Sequence, residues 1–260
     1  MSKKNFKYIY GPVPSWRLGR SLGIDLLSGK KKACTFDCIY CQLGKTKGFT
    51  AKRKLYVPTE KVIEEIKRLP DVHIDYITFS GRGEPTLAVN LGQTIRAIKK
   101  IRKEPLAVLT NSTLLYRKDV RKELSLADLV AVKLDADSAR SLKLINQPAK
   151  GIGFSGILRG IKQFRKEFRG KLALQVMFTE KNRGIAGKIA GLAKSIQPDE
   201  IQICTPTRPS PVKALSRSAL LEIKRHFRGM KVISLDEARR KKVRPVSAKG
   251  TMLRRGKILE

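Results

Sequence analysis

Cys34-Thr35-Phe36-Asp37-Cys38-Ile39-Tyr40-Cys41 sets three thiols four and then three residues apart inside a short polar loop. They are three of the four cysteines in a chain of 260 residues. Thiolates gathered on one loop suit a soft metal centre, either zinc or an iron-sulfur cluster. The missing fourth ligand separates the two. Structural zinc is closed by four protein ligands, whereas three cysteines on a [4Fe-4S] cluster leave one iron open. Cys204, the remaining cysteine, lies far along the chain in Ile-Gln-Ile-Cys-Thr-Pro and reads as a buried small hydrophobe at a strand end. Clustered thiols without a disulfide framework predict a reducing compartment.

Outward from the triad, strand-like and helix-like segments alternate. Short apolar runs at 22–27, 74–79, 107–110, 129–134, 172–178 and 200–204 read as strands. Helical periodicity fills 59–69, 88–102, 117–124, 155–168, 183–196 and 216–227, with Thr59 read as the N-cap of the first helix. Strand-then-helix repetition calls for parallel strands with crossover helices. The fold class is therefore α/β, an open partial (β/α)6 TIM-like barrel. Residues 1–235 form its domain, with an irregular lead-in over 1–19, where Gly11, Pro12 and Pro14 oppose regular structure, and a cysteine loop over 28–48. Residues 236–260 read as a solvated or disordered basic tail, or as a clamp on an RNA backbone, with Arg239, Arg254, Arg255 and Lys257 and no acid after Glu237 until Glu260.

Polar motifs stand at the carboxyl ends of these strands, where such sheets bind ligands. Ser80-Gly-Arg-Gly-Glu-Pro-Thr86 carries glycines where backbone must approach closely or turn with positive φ. Thr110-Asn-Ser112 offers short side chains able to hydrogen-bond hydroxyls, Asp135 follows the next strand beside Lys133, and Gln175 sits within an apolar run. Asp135 fits a turn cap as well as a ligand contact. His73 and His226 are isolated and read as structural or surface residues.

The CxxxCxxC spacing with Tyr40 before the third cysteine resembles the signature of the radical S-adenosylmethionine (SAM) superfamily. With Gly11-Pro-Val-Pro-Ser-Trp-Arg-Leu-Gly-Arg-Ser-Leu-Gly23, Cys41-Gln-Leu-Gly44, the glycine motif and Thr110-Asn-Ser112 in family order, the chain resembles the branch containing tRNA wyosine-base synthases. The resemblance implies a [4Fe-4S] cluster on Cys34, Cys38 and Cys41, with SAM on its open iron. It implies reductive cleavage of SAM to methionine and a 5′-deoxyadenosyl radical, fed by reduced flavodoxin or ferredoxin. Tyr40 then matches the aromatic residue against adenine, and Gly83, Glu84 and Pro85 match the motif at the SAM amino group. Asn111 and Ser112 fall near the ribose, with Asp135 and Gln175 as further cofactor contacts. The chain departs from that pattern at Arg82, where many relatives carry glycine, and at Trp16, where relatives commonly carry arginine. With only Cys204 to spare, it lacks the cysteines for the second cluster of archaeal wyosine-base synthases.

Lys plus Arg number 56 against 22 Asp plus Glu, a net charge of +34. A field of that size draws phosphate backbones and points to RNA, tRNA included, as a partner. Arg17 and Arg20 in the lead-in are candidate carboxylate or phosphate contacts. The sequence holds no apolar run of membrane-spanning length and no apolar signal stretch after Met1, so no membrane and a cytoplasmic location are expected. Three functions remain open: radical chemistry on RNA, the same chemistry on a protein or small molecule, and RNA binding around a structural metal.

Overall fold

The computed structural model describes residues 6–29, 31–47, 49–237 and 241–255. The basic positions Arg239 and Lys257 lie outside them. Eight strands form one sheet in strict sequence order: β1 (Ile9–Ser15), β2 (Gly19–Ile24), β3 (Tyr76–Phe79), β4 (Leu106–Thr110), β5 (Leu129–Lys133), β6 (Lys171–Met177), β7 (Glu200–Cys204) and β8 (Val232–Ser234). All neighbours pair in parallel except β1 with β2. The helices are α1 (Thr59–Lys67), α2 (Leu91–Lys99), α3 (Lys118–Leu124), α4 (Ala139–Ile145), α5 (Phe154–Glu167), α6 (Ala186–Ile196), α7 (Arg217–Arg225) and α8 (Ala248–Arg255). Each parallel step adds the next strand beside the last, and the accumulated twist curls the sheet into a partial barrel.

The two-residue period of the strands divides the interior. Val130, Val132, Leu172, Leu174, Val176, Ile201 and Ile203 join the core under the helices. The alternate residues Ala107, Leu129, Ala131 and Ala173 form a second, smaller cluster with Leu18. Alanines there leave a lumen that the turn between β1 and β2 enters from below, and Leu18 plugs it with 3% of its surface exposed. Burying that leucine contributes about 1.5–3 kcal/mol.

The expected irregular lead-in is instead strand β1. Proline is tolerated on a sheet edge, where one side of the backbone needs no partner, and the register breaks between Tyr10 and Val13 around Gly11 and Pro12. Thr59 does not cap α1 but forms its first residue, and its hydroxyl instead pairs with that of Thr94 at 2.9 Å. Helix α2 starts later than 88 because Ala88, after the 3₁₀ turn Pro85–Leu87, is extended and bridges Lys54. Helix α4, unforeseen, starts at a reciprocal cap between Ser138 and Ser141.

Nor is the tail simply solvated. Residues 248–255 form α8, which lies on β1, and Val246 N–H donates to the Gly11 carbonyl at 2.6 Å. Arg254 drives its guanidinium inward: Nε meets Asp25 Oδ2 at 3.0 Å, with both side chains at most 2% exposed. Its Nη1 donates to the Gly250 carbonyl at 3.0 Å and Nη2 to the Lys7 carbonyl and the Ser28 hydroxyl. Asp25 also accepts from Leu27 N–H and the Ser28 hydroxyl. Burial pushes the Asp25 carboxyl above its usual range, against the opposing pull of Arg254.

Arg254→Ala strands the Asp25 charge, so unfolding in urea should show a loss of about 3–5 kcal/mol. Adding Asp25→Asn should restore a large part of it. Equal stability of wild type and Arg254→Ala would mean that α8 is not held by this pair.

Candidate active site

Close backbone contact fixes the cysteine loop. After β2 the chain leaves the sheet and returns at Ala33, which forms a parallel bridge with Gly83 beyond β3. Ala33 N–H donates to the Arg82 carbonyl at 3.2 Å, and Glu84 N–H to the Ala33 carbonyl at 3.0 Å. Gly83 has φ +148°, and a Cβ there would lie 1.6 Å from the Ala33 oxygen. Only glycine permits both. Farther on, Asp37 N–H reaches the Asn146 carbonyl at 3.0 Å and Ile39 N–H the Ile145 carbonyl at 3.0 Å. The loop thus bridges the carboxyl end of β3 and the C-terminus of α4.

All three thiols are free. Asn111 Nδ2 donates toward Cys34 Sγ at 3.6 Å, alongside Phe36 N–H at 3.5 Å. Asn146 Nδ2 donates to Cys38 Sγ at 3.4 Å. Burial, reinforced by Cys38, pushes the Cys34 thiol up to about 12, and burial with the Asp135 charge pushes Cys38 up to about 11. Both thiols are therefore held in the protonated form near neutral pH. Among the described residues no group of three His, Cys, Asp or Glu side chains is placed to hold a single metal ion. The donor set, three free thiols with amide donors aimed at two sulfurs, has the chemistry of an iron-sulfur site, whose potential such hydrogen bonds tune.

The other sequence candidates fall into two networks and a cavity. In the first, buried Glu84 accepts from Thr86 N–H at 3.1 Å, the Thr86 hydroxyl at 2.7 Å, the Thr110 hydroxyl at 2.6 Å and Asn111 N–H at 2.6 Å. Burial pushes its carboxyl up, opposed by these donors. Pro85 opens the 3₁₀ turn behind it. Asn111 Nδ2 also donates to the Thr35 hydroxyl at 2.7 Å. Ser112, at φ +73°, extends the pairing of β4 and β5: its hydroxyl donates to the Lys133 carbonyl at 3.1 Å and accepts from Lys133 N–H at 2.8 Å.

The second network centres on Asp135, whose Oδ2 accepts from the Tyr40 hydroxyl and from Asn146 Nδ2 at 2.8 Å. Its Oδ1 accepts from Met177 N–H at 2.8 Å, and Lys133 Nζ stands 3.5 Å away. Lys133 Nζ also lies 5.1 Å over the Tyr40 ring. Burial, then the Asp135 charge, raise the Tyr40 hydroxyl well above its usual range. Asn146, which touches Cys38, Tyr40 and Asp135, had no sequence signal. It stands more than 100 positions from Cys38 and ends a helix too short to show a period.

A cavity of about 260 Å³ occupies the lumen. Tyr40 and Gln175 line it, with Ser80, Gly81, Met177 and Cys204, while Gly83, Glu84, Asn111, Ser112 and Asp135 are not part of its lining. Gln175 Nε2 donates to Cys204 Sγ at 3.3 Å. Of the lead-in arginines, Arg17 enters the cavity, whereas Arg20 pairs with Asp75 at 3.8 Å.

The profile described as "Radical SAM superfamily" matches residues 31–185, which takes in the cysteine loop and both networks. The chain belongs to the radical SAM superfamily. It is 44% identical over 209 residues to a UPF0026 protein of Synechocystis sp., covering 80% of this chain and 78% of that one. Among solved structures it resembles TYW1 with a lysine-pyruvate adduct bound, at TM-score 0.64 and 18% identity over 81% of this chain and 74% of that one. It also resembles SuiB of Streptococcus suis bound to S-adenosylmethionine, at TM-score 0.60 and 14% identity over 78% of this chain and 48% of that one. These two likenesses concern the radical SAM fold. The cofactors of the superfamily are a [4Fe-4S] cluster and SAM, and the chain is a radical SAM enzyme.

Gly83→Ala should break the bridge to Ala33. Expected are a lowered melting temperature and failure to retain iron after anaerobic reconstitution, read by metal analysis. Wild-type iron content and melting in that variant would remove the bridge from the account.

Proposed function

We propose that Cys34, Cys38 and Cys41 hold the [4Fe-4S] cluster and that the chain turns SAM cleavage on an anionic substrate. The cluster, when bound, supplies the electron that splits SAM into methionine and a 5′-deoxyadenosyl radical, and the protein supplies binding, orientation and exclusion of water. The observation that carries this reading is the three free thiols with Asn111 and Asn146 directed at two of them. Gly83, Glu84 and Pro85 shape the SAM amino site through the loop they hold. Asn111 and Ser112 serve the ribose end, and Tyr40, kept in place by Asp135 and Asn146, packs on the adenine. Gln175 meets SAM from the lumen. Reduced flavodoxin or ferredoxin is the electron donor.

RNA is the substrate class that the charge of +34 supports, in line with the wyosine-base synthase branch the motifs resemble. Many of the acids are already paired with neighbouring cations: Asp75, Asp119, Asp128, Asp199 and Glu237 each hold a Lys or Arg within 4 Å. The cationic surplus is therefore left to solvent or to a polyanion. A small-molecule substrate is favoured by a different observation, the enclosed lumen with its arginines.

Replacing Cys34, Cys38 and Cys41 by Ala should abolish both iron binding and release of 5′-deoxyadenosine. Retention of either at wild-type level would refute the ligand assignment. For RNA, the plot of log affinity against log salt should be steep. Changing exposed Lys242, Arg244 and Lys249 to Gln, which leaves α8 in place, should flatten its slope by about 2–3 units. Binding no tighter than to heparin, with no stimulation of SAM cleavage by tRNA, would move the small-molecule substrate ahead.

A further inference from the structure

Arg17 is held in an unusual position. It sits on the turn between β1 and β2, beside Leu18, which fills the closed end of the lumen. Ser15 Oγ fixes that turn by accepting from Arg17 N–H at 3.3 Å and Leu18 N–H at 3.1 Å. The guanidinium reaches the cavity, its Cζ 5.2 Å from the centre of the Trp16 ring. Its Nε and Nη1 are enclosed and have no hydrogen-bond partner among the described residues. No carboxylate pairs with it there either. The cavity is lined by Arg17, Arg208, Arg254 and Arg255 and by no Asp or Glu. The Arg254 charge is answered by Asp25. Arg17 has no ion-pair partner within 4 Å among the described residues; Glu200, which acts on it from farther off, is held by Lys171 at 2.7 Å.

A guanidinium cannot shed its proton, so its enclosed Nε and Nη1 call for an acceptor even though the residue as a whole is half-buried. Its planar fork matches a carboxylate or a phosphate through two parallel hydrogen bonds. The Trp16 ring below it gives the cation a π face to rest against. The same cavity is also lined by Tyr40 of the cysteine loop and Gly81 of the glycine motif.

We propose that Arg17 is the anchor for an oxyanion group of the substrate, a carboxylate or a phosphate, seated at the closed end of the lumen with the rest of the molecule extending toward Tyr40. This rests on the radical SAM reading for the identity of the chamber as the reaction site, and it makes the substrate entering the lumen a small organic acid or a phosphate ester. Arg17 is a specificity residue: it selects what enters without acting on the reacting bond.

Trp16 is the only tryptophan of the chain, so its fluorescence reports on this position alone. Full-length, cluster-loaded protein would be titrated anaerobically with propionate and with inorganic phosphate at constant ionic strength. A saturable change in Trp16 emission with one of them is expected: propionate marks a carboxylic acid, phosphate a phosphate ester. Arg17→Gln should weaken that titration by about tenfold or more, and Arg17→Lys by less, because Lys keeps the charge and loses the fork. Arg17→Met, which keeps the stem against Trp16, serves if the Gln variant does not fold. SAM affinity should stay within about twofold in these variants. Absence of saturation with both anions, or titrations unchanged in the variants, would overturn the proposal. So would displacement of propionate by SAM together with loss of SAM affinity, which would make the SAM carboxylate the partner. Failure of the radical SAM reading shows separately, as wild-type protein that does not bind SAM.

Discussion

The backbone at Ala33 can lie against the backbone at Gly83 only because residue 83 has no Cβ, and the geometry of the site follows from that contact. It fixes the start of the cysteine loop to the carboxyl end of β3. Glu84, the next residue, ties the same point to β4 through Thr110 and Asn111. Asn111 then returns to Thr35 and Cys34. Among the described residues the cysteine loop has no helix or strand of its own, and its bonds to the ends of β3 and α4 hold it in place. A loop positioned by rigid scaffold is the usual way a fold carries chemistry.

The asparagines divide the work among the thiols. Asn111 serves Cys34 and comes from β4; Asn146 serves Cys38 and comes from the end of α4. Asn146 also steadies Asp135 and Tyr40, so the aromatic residue beside Cys41 and the second thiol share one buried polar network. Buried polar groups are tolerable when fully satisfied, and this network is: both Asp135 oxygens have donors, and Asn146 Nδ2 has acceptors. Its cost in desolvation is offset by fixing three elements that are far apart in sequence.

What could be read from the chain depended on whether the cause was local. Strands β2 to β7 and helices α1, α2, α3, α5, α6 and α7 were legible because period and length betray them, and the thiol triad because its spacing is itself the signal. Strand β1 was not: Gly11, Pro12 and Pro14 oppose a strand locally, and only its place on the sheet edge permits one. Helix α8 is rich in cations and poor in apolar residues, and it is held by long-range contacts: Arg254 on Asp25, 229 residues earlier, and the Thr251 hydroxyl accepting from Gly11 N–H. The role of Leu18 was equally hidden, since it depends on alanines at 107, 131 and 173 pointing into one lumen.

Three arginines show how a strongly basic chain assigns its charges. Arg254 is buried and matched by Asp25; Arg121 is buried and matched by Glu167 and by the carbonyls of Leu115 and Tyr116. Both complete the fold, and in each the desolvation penalty is met by several directed bonds. Arg17 is half-buried as a residue, yet its Nε and Nη1 are enclosed without such bonds. A folded chain with dozens of surface positions for arginine gains nothing in stability from placing one there. The placement makes physical sense if the missing acceptor is brought by a ligand, because the field of a cation without an ion-pair partner among the described residues is then felt in the lumen it lines.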